Sequence, residues 1–114
     1  MNYYKNILEV LDKNQYSTNQ NVIKTYSTDW RGEYIGDTDL VIFPDSIKKV
    51  SEVLKICQKE NIPIVPQGGN TGLVGGGVPR SNRNEIIINL SKLNKIRQID
   101  LLGNSVTVEG GCVL

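Results

Sequence analysis

Residues 62–79 read IPIVPQGGNTGLVGGGVP, a short apolar run followed by a loop rich in glycine. Six of the ten positions from Gly68 to Gly77 are glycine. Each glycine that is held fixed costs about 0.5–1 kcal/mol of backbone entropy relative to alanine, so the loop is ordered only if something holds it. Without Cβ atoms, successive N–H groups can turn toward one point and form a concave anion site. The stretch therefore predicts a strand that leads into a phosphate-binding loop.

Two common phosphate loops do not fit this pattern. A Walker loop needs Lys and then Ser or Thr after its last glycine, but Gly77 is followed by Val78 and Pro79. A Rossmann GxGxxG loop opens a long helix, whereas residues 79–83 continue as loop. The alternative to a ligand site is a flexible surface loop that binds nothing.

Only two cations follow the loop closely, Arg80 and Arg83, while Asn70 and Thr71 offer side-chain hydrogen bonds. Backbone amides are therefore expected to carry most of the anion binding.

A βαβ unit is predicted on the N-terminal side of the loop. Leu40–Phe43 is a continuous apolar run, typical of a strand buried on both faces, and Pro44 ends it. Ser46 can cap an amphipathic helix that extends to about Glu60. Because a helical crossover returns the chain in the same direction, the strand at Ile62–Val65 should be parallel to the first.

Extended segments dominate the C-terminal side. Glu85–Leu90 contains a branched run that predicts a strand, and Ser91–Lys95 predicts a single helical turn. Ile96–Leu101 and Ser105–Glu109 predict an antiparallel pair joined at Gly103. The predicted class is α+β, a short parallel βαβ unit followed by antiparallel strands, and the domain is expected to be incomplete.

The first 38 residues give weaker signals. Apolar residues between Tyr4 and Leu11 have helical spacing, and the polar segment Asp12–Asn21 predicts a loop. Ser27–Asp39 has no period, which indicates an irregular connector that Trp30 anchors against the body. We therefore expect an N-terminal helix and connector over residues 1–38 and the main domain over 39–114.

Composition excludes several classes of function. The chain has no histidine, so it cannot supply a Ser-His or Cys-His pair or a histidine metal ligand. A net charge of +1 gives no general attraction to nucleic acid. Cys57 and Cys112 form no CxxC pair, which favours two free thiols over a metal site. Apolar runs such as Ile86–Ile88 are far shorter than the roughly 20 residues of a membrane span, so a cytoplasmic protein without a transmembrane segment is expected.

The glycine loop and its flanks resemble a known family. The string PQGGNTGLVGG followed by VP is similar to the pyrophosphate loop of FAD-linked oxidases of the vanillyl-alcohol oxidase, or PCMH, type. Within that superfamily it is most similar to the D-2-hydroxyglutarate, D-lactate and glycolate dehydrogenases. Further agreement comes from TDW at 28–30, LNKI at 93–96 and VEGGCVL at 108–114, so the resemblance covers about residues 28–114.

The resemblance implies a non-covalent FAD site. Asn70 stands where some relatives attach the flavin through histidine, and Gly77 stands where serine is common, which removes one hydroxyl. The residues implied to bind FAD are Pro44, Pro66, Gln67, Gly68, Gly69, Asn70, Thr71, Gly72, Leu73, Gly75, Gly76 and Gly77.

The same resemblance implies that catalytic residues lie outside this chain. Members of the family continue for several hundred residues, and in them a base removes the substrate hydroxyl proton while hydride passes to the flavin. This chain is then the N-terminal segment of a 2-hydroxy-acid dehydrogenase, inactive alone, with the C-terminal part as an expected partner chain. The alternatives are a stand-alone module for a phosphate ligand or a protein partner, and a decayed gene remnant.

Overall fold

Helices and short strands alternate along the first half of the chain, and strands alone follow. The computed structural model describes residues 2–114. The elements are α1 (Lys5–Val10), a 3-10 turn (Lys13–Gln15), β1 (Tyr16–Ser17), α2 (Gln20–Tyr26), β2 (Val41–Ile42), α3 (Ile47–Glu60), β3 (Ile64–Gln67), β4 (Ile86–Asn89), β5 (Ile96–Asp100) and β6 (Ser105–Val108).

The main sheet has four strands in the order β1-β2-β4-β3. Strand β4 lies between β2 and β3 and is parallel to both, and β1 pairs antiparallel with β2. The predicted parallel relation of the two strands of the βαβ unit is confirmed, but they are not neighbours. All four residues of β4 are buried, as expected for a central strand covered on both faces.

The helices cover the two faces of this sheet. On one face, α1 and α3 pack on Ile42, Ile86 and Ile88. On the other face, Ile23 of α2 packs on Val41 and Ile87. Helix α3 begins after Ser46, as predicted, and the Ser46 side chain accepts a hydrogen bond from the Lys49 amide. Asn61, which follows the last helical residue, adopts the left-handed conformation and ends the helix.

Three sequence-based expectations about segments outside the βαβ unit are wrong. The segment predicted as a polar loop contains β1 and the start of α2, which Asn19 caps through the Asn21 amide. Trp30 does not anchor the connector, because 66% of its surface is exposed. Residues 91–95 contain no helical turn; the Leu93 amide donates to the Leu90 carbonyl in an isolated turn.

Strands β5 and β6 form the predicted antiparallel hairpin, with a bulge between Ile96 and Gln98. Successive side chains of a strand point to opposite sides. The extra residue in the bulge brings Ile96 and Ile99 to the same side of β5, so four apolar residues share one side of the hairpin. We call this side the apolar hairpin face; it consists of the exposed residues Ile96, Ile99, Val106 and Val108. Among the helices of residues 2–114, none combines the length and apolar character needed to cross a bilayer.

Candidate functional site

The glycine loop emerges from the carboxyl end of the parallel strands. Gln67 is the last residue of β3 and lies opposite Asn89, the last residue of β4. In open parallel sheets, ligands bind at this edge, because loops leave the strands there and backbone N–H groups become available. The loop is thus placed where a ligand site is expected.

A buried amide network fixes the two ends of the loop. The Gln67 Nε2 atom donates to the Gly77 carbonyl at 2.9 Å and to the Tyr26 carbonyl at 2.7 Å. Its Oε1 atom accepts a hydrogen bond of 2.9 Å from Asn89. The side chain of Gln67 therefore joins the start of the loop, its end and the C-terminus of α2, and all of its amide groups are used by the protein.

A second hydrogen bond joins the loop to the N-terminal connector. The Asn70 Nδ2 atom donates to the Thr28 carbonyl at 2.8 Å. Asn70 itself has a positive φ of 54°, which a left-handed residue in a tight loop requires. The connector and the glycine loop are consequently held as one unit.

The backbone amides of the loop keep their donors free. Within residues 2–114, no N–H of residues 68–77 donates to another protein atom, and the neighbouring Val78 amide donates to the Gly75 carbonyl. The loop residues are exposed or half-buried, so these N–H groups are open to solvent and to a ligand. The loop therefore offers a run of main-chain donors to a ligand.

The space beside the loop glycines is open. A Cβ atom at Gly72 would meet no protein atom within 4 Å, and the nearest atoms to one at Gly68 or Gly69 would be 3.8 and 3.9 Å away. Protein packing alone therefore does not require glycine at these three positions. Among the loop glycines, only Gly75 has a positive φ angle, at 78°.

Two cavities flank the loop. The smaller has a volume of about 260 Å³ and is lined by Asp29, Pro66, Gln67, Gly68, Gly69, Asn70, Thr71, Gly72, Gly75, Gly77 and Val78. The larger has a volume of about 630 Å³ and is lined by Asn21, Lys24, Thr25, Tyr26, Thr28, Asp29, Trp30, Gln67, Gly68, Gly69, Asn70 and Asn89. The start of the loop and Asp29 border both.

Nine of the twelve residues predicted to bind the cofactor line the smaller cavity, and three do not. Pro44 is fully buried, Leu73 is half exposed, and Gly76 lies on another surface beside Arg80. The two arginines expected as counter-charges line neither cavity. Arg80 instead pairs with the buried Glu85 at 2.9 Å.

Sequence reasoning missed the contribution of the N-terminal segment. Lys24 is the one cation among the residues that line the two cavities, and Asp29 is the one carboxylate. Asp29 and Trp30 belong to the TDW motif, so the signal was present in the sequence. Its meaning was not readable, because the contacts join residues about 40 positions apart.

Comparison with known proteins places the chain in a family. A family model described as "FAD binding domain" matches residues 38–114. The chain belongs to this FAD-binding domain family. More particularly, it is an FAD-binding domain of FAD-dependent oxidoreductases related to the 2-hydroxy-acid dehydrogenases.

Similar curated proteins carry names of that kind. The mitochondrial D-2-hydroxyglutarate dehydrogenase of Arabidopsis thaliana is 36% identical over 100% of this chain and 20% of its own length. A Schizosaccharomyces pombe protein with D-lactate dehydrogenase in its name is 39% identical over 95% of this chain and 20% of its own length. The chain spans about a fifth of the length of these relatives.

Solved structures agree on the fold. An alkyldihydroxyacetonephosphate synthase superposes with a TM-score of 0.81 over 96% of this chain and 23% of that chain, at 22% identity. A p-cresol methylhydroxylase superposes with a TM-score of 0.70 over 86% of this chain and 19% of that chain, also at 22% identity. The predicted α+β architecture of a PCMH-type FAD-binding domain is confirmed.

The residues present fit an FAD pyrophosphate. Free amides line a small cavity, the glycines leave the room that a Cβ atom would fill, and Lys24 stands at the neighbouring cavity. Such main-chain donors suit phosphate oxygens.

Proposed function

We propose that the residues of the glycine loop that line the smaller cavity hold the pyrophosphate of non-covalently bound FAD, and that the chain forms the N-terminal segment of an FAD-dependent 2-hydroxy-acid dehydrogenase. The observation that carries the proposal is the run of unused amides at Gly68–Gly77 beside a cavity where protein packing does not require glycine at Gly68, Gly69 or Gly72. A doubly charged linkage satisfies several such donors at once, and charge-assisted hydrogen bonds are the stronger kind.

This chain contributes binding and leaves the substrate chemistry to other residues. FAD, when bound, supplies hydride acceptance. The chain has no histidine to serve as a base, and no described cluster of three His, Cys, Asp or Glu residues within positions 2–114 could hold a metal. We therefore expect the chain to bind FAD but to be inactive by itself toward 2-hydroxy acids.

A polypeptide partner follows from the apolar hairpin face. Ile96, Ile99 and Val106 are each more than half exposed. Contiguous exposed apolar surface marks an interaction site. We infer that further polypeptide of a dehydrogenase of this type covers the face, either in the same chain or in a separate one.

The compartment stays a prediction. The sequence predicts the cytoplasm, whereas the Arabidopsis relative is named as mitochondrial.

Trp30 provides a direct test of FAD binding. It is the only tryptophan, and it lines the larger cavity beside Gly68 and Gly69. Titration of the chain with FAD should quench Trp30 fluorescence by energy transfer to the flavin, with saturation. An unchanged emission, together with no retention of FAD after gel filtration, would overturn the proposal.

A matched pair of variants locates the site. Gly72→Ala adds a methyl group that meets no protein atom within 4 Å, at a residue that lines the smaller cavity, so thermal stability should be unchanged while FAD affinity falls by tenfold or more. Val74→Ile also adds a methyl group to the loop, but Val74 is 83% exposed and lines neither cavity. It should leave FAD affinity unchanged, and equal effects of the two variants would contradict a site in the smaller cavity.

A further inference from the structure

Asp29 carries a carboxylate oxygen that the protein leaves without a partner. The residue is 5% exposed. Its Oδ1 atom accepts a hydrogen bond of 3.1 Å from the Tyr34 amide, whereas its Oδ2 atom is buried and has no partner among residues 2–114. A buried acceptor without a donor costs about 1–3 kcal/mol, and more when it is charged. Such an atom calls for a donor from outside the described chain.

The position of Asp29 connects this atom with the glycine loop. Asp29 lines both cavities, together with the start of the loop. Two residues that precede it in sequence are tied to the loop and its start, since Gln67 donates to the Tyr26 carbonyl and Asn70 donates to the Thr28 carbonyl. Asp29 is therefore held next to whatever the loop binds.

The chemistry of the missing partner is restricted by the neighbouring anion. A phosphate oxygen is an acceptor with negative charge, so it would repel a carboxylate. No lysine or arginine within the described residues forms an ion pair with Asp29. A neutral hydroxyl group is a donor of the required kind, and sugar hydroxyls lie within a few bonds of the pyrophosphate in a dinucleotide.

We infer that Asp29 Oδ2 accepts a hydrogen bond from a hydroxyl group of the sugar or ribityl chain next to the bound pyrophosphate. The connector is then a second part of the site, beside the loop, and it distinguishes a nucleotide from a bare phosphate. This inference rests on the proposed binding of FAD.

The test compares ligands with and without hydroxyl groups on the 114-residue chain. Asp29→Asn keeps the acceptor for the Tyr34 amide but replaces the free carboxylate oxygen with an N–H donor. The dissociation constants of FAD and of inorganic pyrophosphate are measured by calorimetry for the parent chain and the variant. In the variant, FAD loses a charge-assisted hydrogen bond, whereas pyrophosphate loses only a repulsion. The dissociation constant of FAD divided by that of pyrophosphate should therefore rise roughly tenfold.

ADP and FMN then identify the source of the hydroxyl group. If the ribose donates, the substitution lowers the affinity for ADP relative to pyrophosphate. If the ribityl chain donates, it lowers the affinity for FMN relative to pyrophosphate. Either result supports the inference. A change of FAD and pyrophosphate affinity by the same factor would mean that Asp29 only shapes the connector, and the inference would be wrong. A parent chain that binds none of the four ligands would overturn both the inference and the proposed function.

A measurement on the parent chain covers the case in which the variant does not fold. The carbonyl-type ¹³Cγ resonance of Asp29 should shift on addition of FAD but not on addition of pyrophosphate. An equal shift with both ligands contradicts a direct hydroxyl contact.

Discussion

The side-chain amide of Asn89 donates a hydrogen bond of 2.9 Å to the Oε1 atom of Gln67, and both side chains are only 3% exposed. Because the acceptor oxygen of Gln67 is held in this way, its Nε2 atom must face the Gly77 and Tyr26 carbonyls. The pair thus fixes both ends of the glycine loop to the carboxyl end of the parallel sheet. Gln67 was predicted to bind the cofactor; the contacts give it a role in positioning the loop.

Substituting Gln67→Glu should weaken the attachment of the glycine loop to the sheet. Glutamate has nearly the same shape but cannot donate, so the Gly77 and Tyr26 carbonyls lose their donor and face an additional oxygen. We expect a loss of about 1–3 kcal/mol in the free energy of unfolding, measured by urea denaturation. Amide order parameters of residues 68–77 should fall as well.

The exposed hairpin offers the control for this change. Gln98→Glu makes the same chemical substitution at an exposed position of β5. It should leave both stability and loop order unchanged. If the two variants behave alike, Gln67 does not hold the loop.

Gly75→Ala should destabilise the chain without any ligand. Gly75 has a φ of 78°, and a Cβ atom there would lie 2.8 Å from the Tyr34 ring. A left-handed alanine costs roughly 1–2 kcal/mol, to which the ring contact adds strain. Thermal unfolding of the variant should therefore occur several degrees lower, whereas Gly76→Ala, which meets no atom within 4 Å, should leave the melting temperature unchanged.

The sequence predicts those parts of the fold that local periodicity determines. Helix α3 and the hairpin were recognisable because their apolar residues recur at helical and alternating spacing. Helix α2 was not, since Ile23 is its only fully buried residue and no clear apolar stripe marks it. The insertion of β4 between β2 and β3 is a long-range pairing that local pattern does not encode, although the uninterrupted burial of Ile86–Ile88 is typical of a central strand.

One part of the candidate site could also be predicted from the sequence, and another part could not. The loop was predictable from its high glycine content, and nine of the twelve predicted residues do line one cavity. The wall from Lys24 to Trp30 was not, because it meets the loop only through tertiary contacts. Trp30 illustrates the error: this large side chain was expected to anchor the connector against the body, yet it is exposed and lines a cavity.

Charges on the apolar hairpin face should keep the chain monomeric. Ile99 and Val106 lie opposite each other in the hairpin and are both exposed. We expect the parent chain to associate as its concentration rises, and the double variant Ile99→Lys with Val106→Lys to stay monomeric in light scattering. Thr107→Lys adds charge on the other side of the hairpin and should not prevent association. A parent chain that is monomeric at every concentration would contradict self-association through this face.

Alkaline pH should destabilise the chain through Cys57. Burial, together with the nearby Glu60 carboxylate, raises the pKa of the Cys57 thiol from 9.0 to about 11. The folded state binds the thiol proton more tightly than the unfolded state, so its contribution to stability is fully present below pH 9 and is lost as the pH rises toward 11. Urea denaturation of the parent chain between pH 8 and pH 11 should show this loss.

Removing the thiol should flatten that pH dependence. Cys57→Ala lowers stability below pH 9 because it leaves a cavity, but the part of the decline above pH 9 that belongs to the thiol should disappear. Tyr3, whose pKa is raised to about 12 by burial and by Asp39, remains in both proteins and adds an equal decline to each. Cys112→Ala serves as the control for the removal of a thiol elsewhere in the chain, since Cys112 is only partly buried. Parallel stability curves for the parent and Cys57→Ala would show that the buried thiol keeps its proton no more tightly in the folded chain than in the unfolded one.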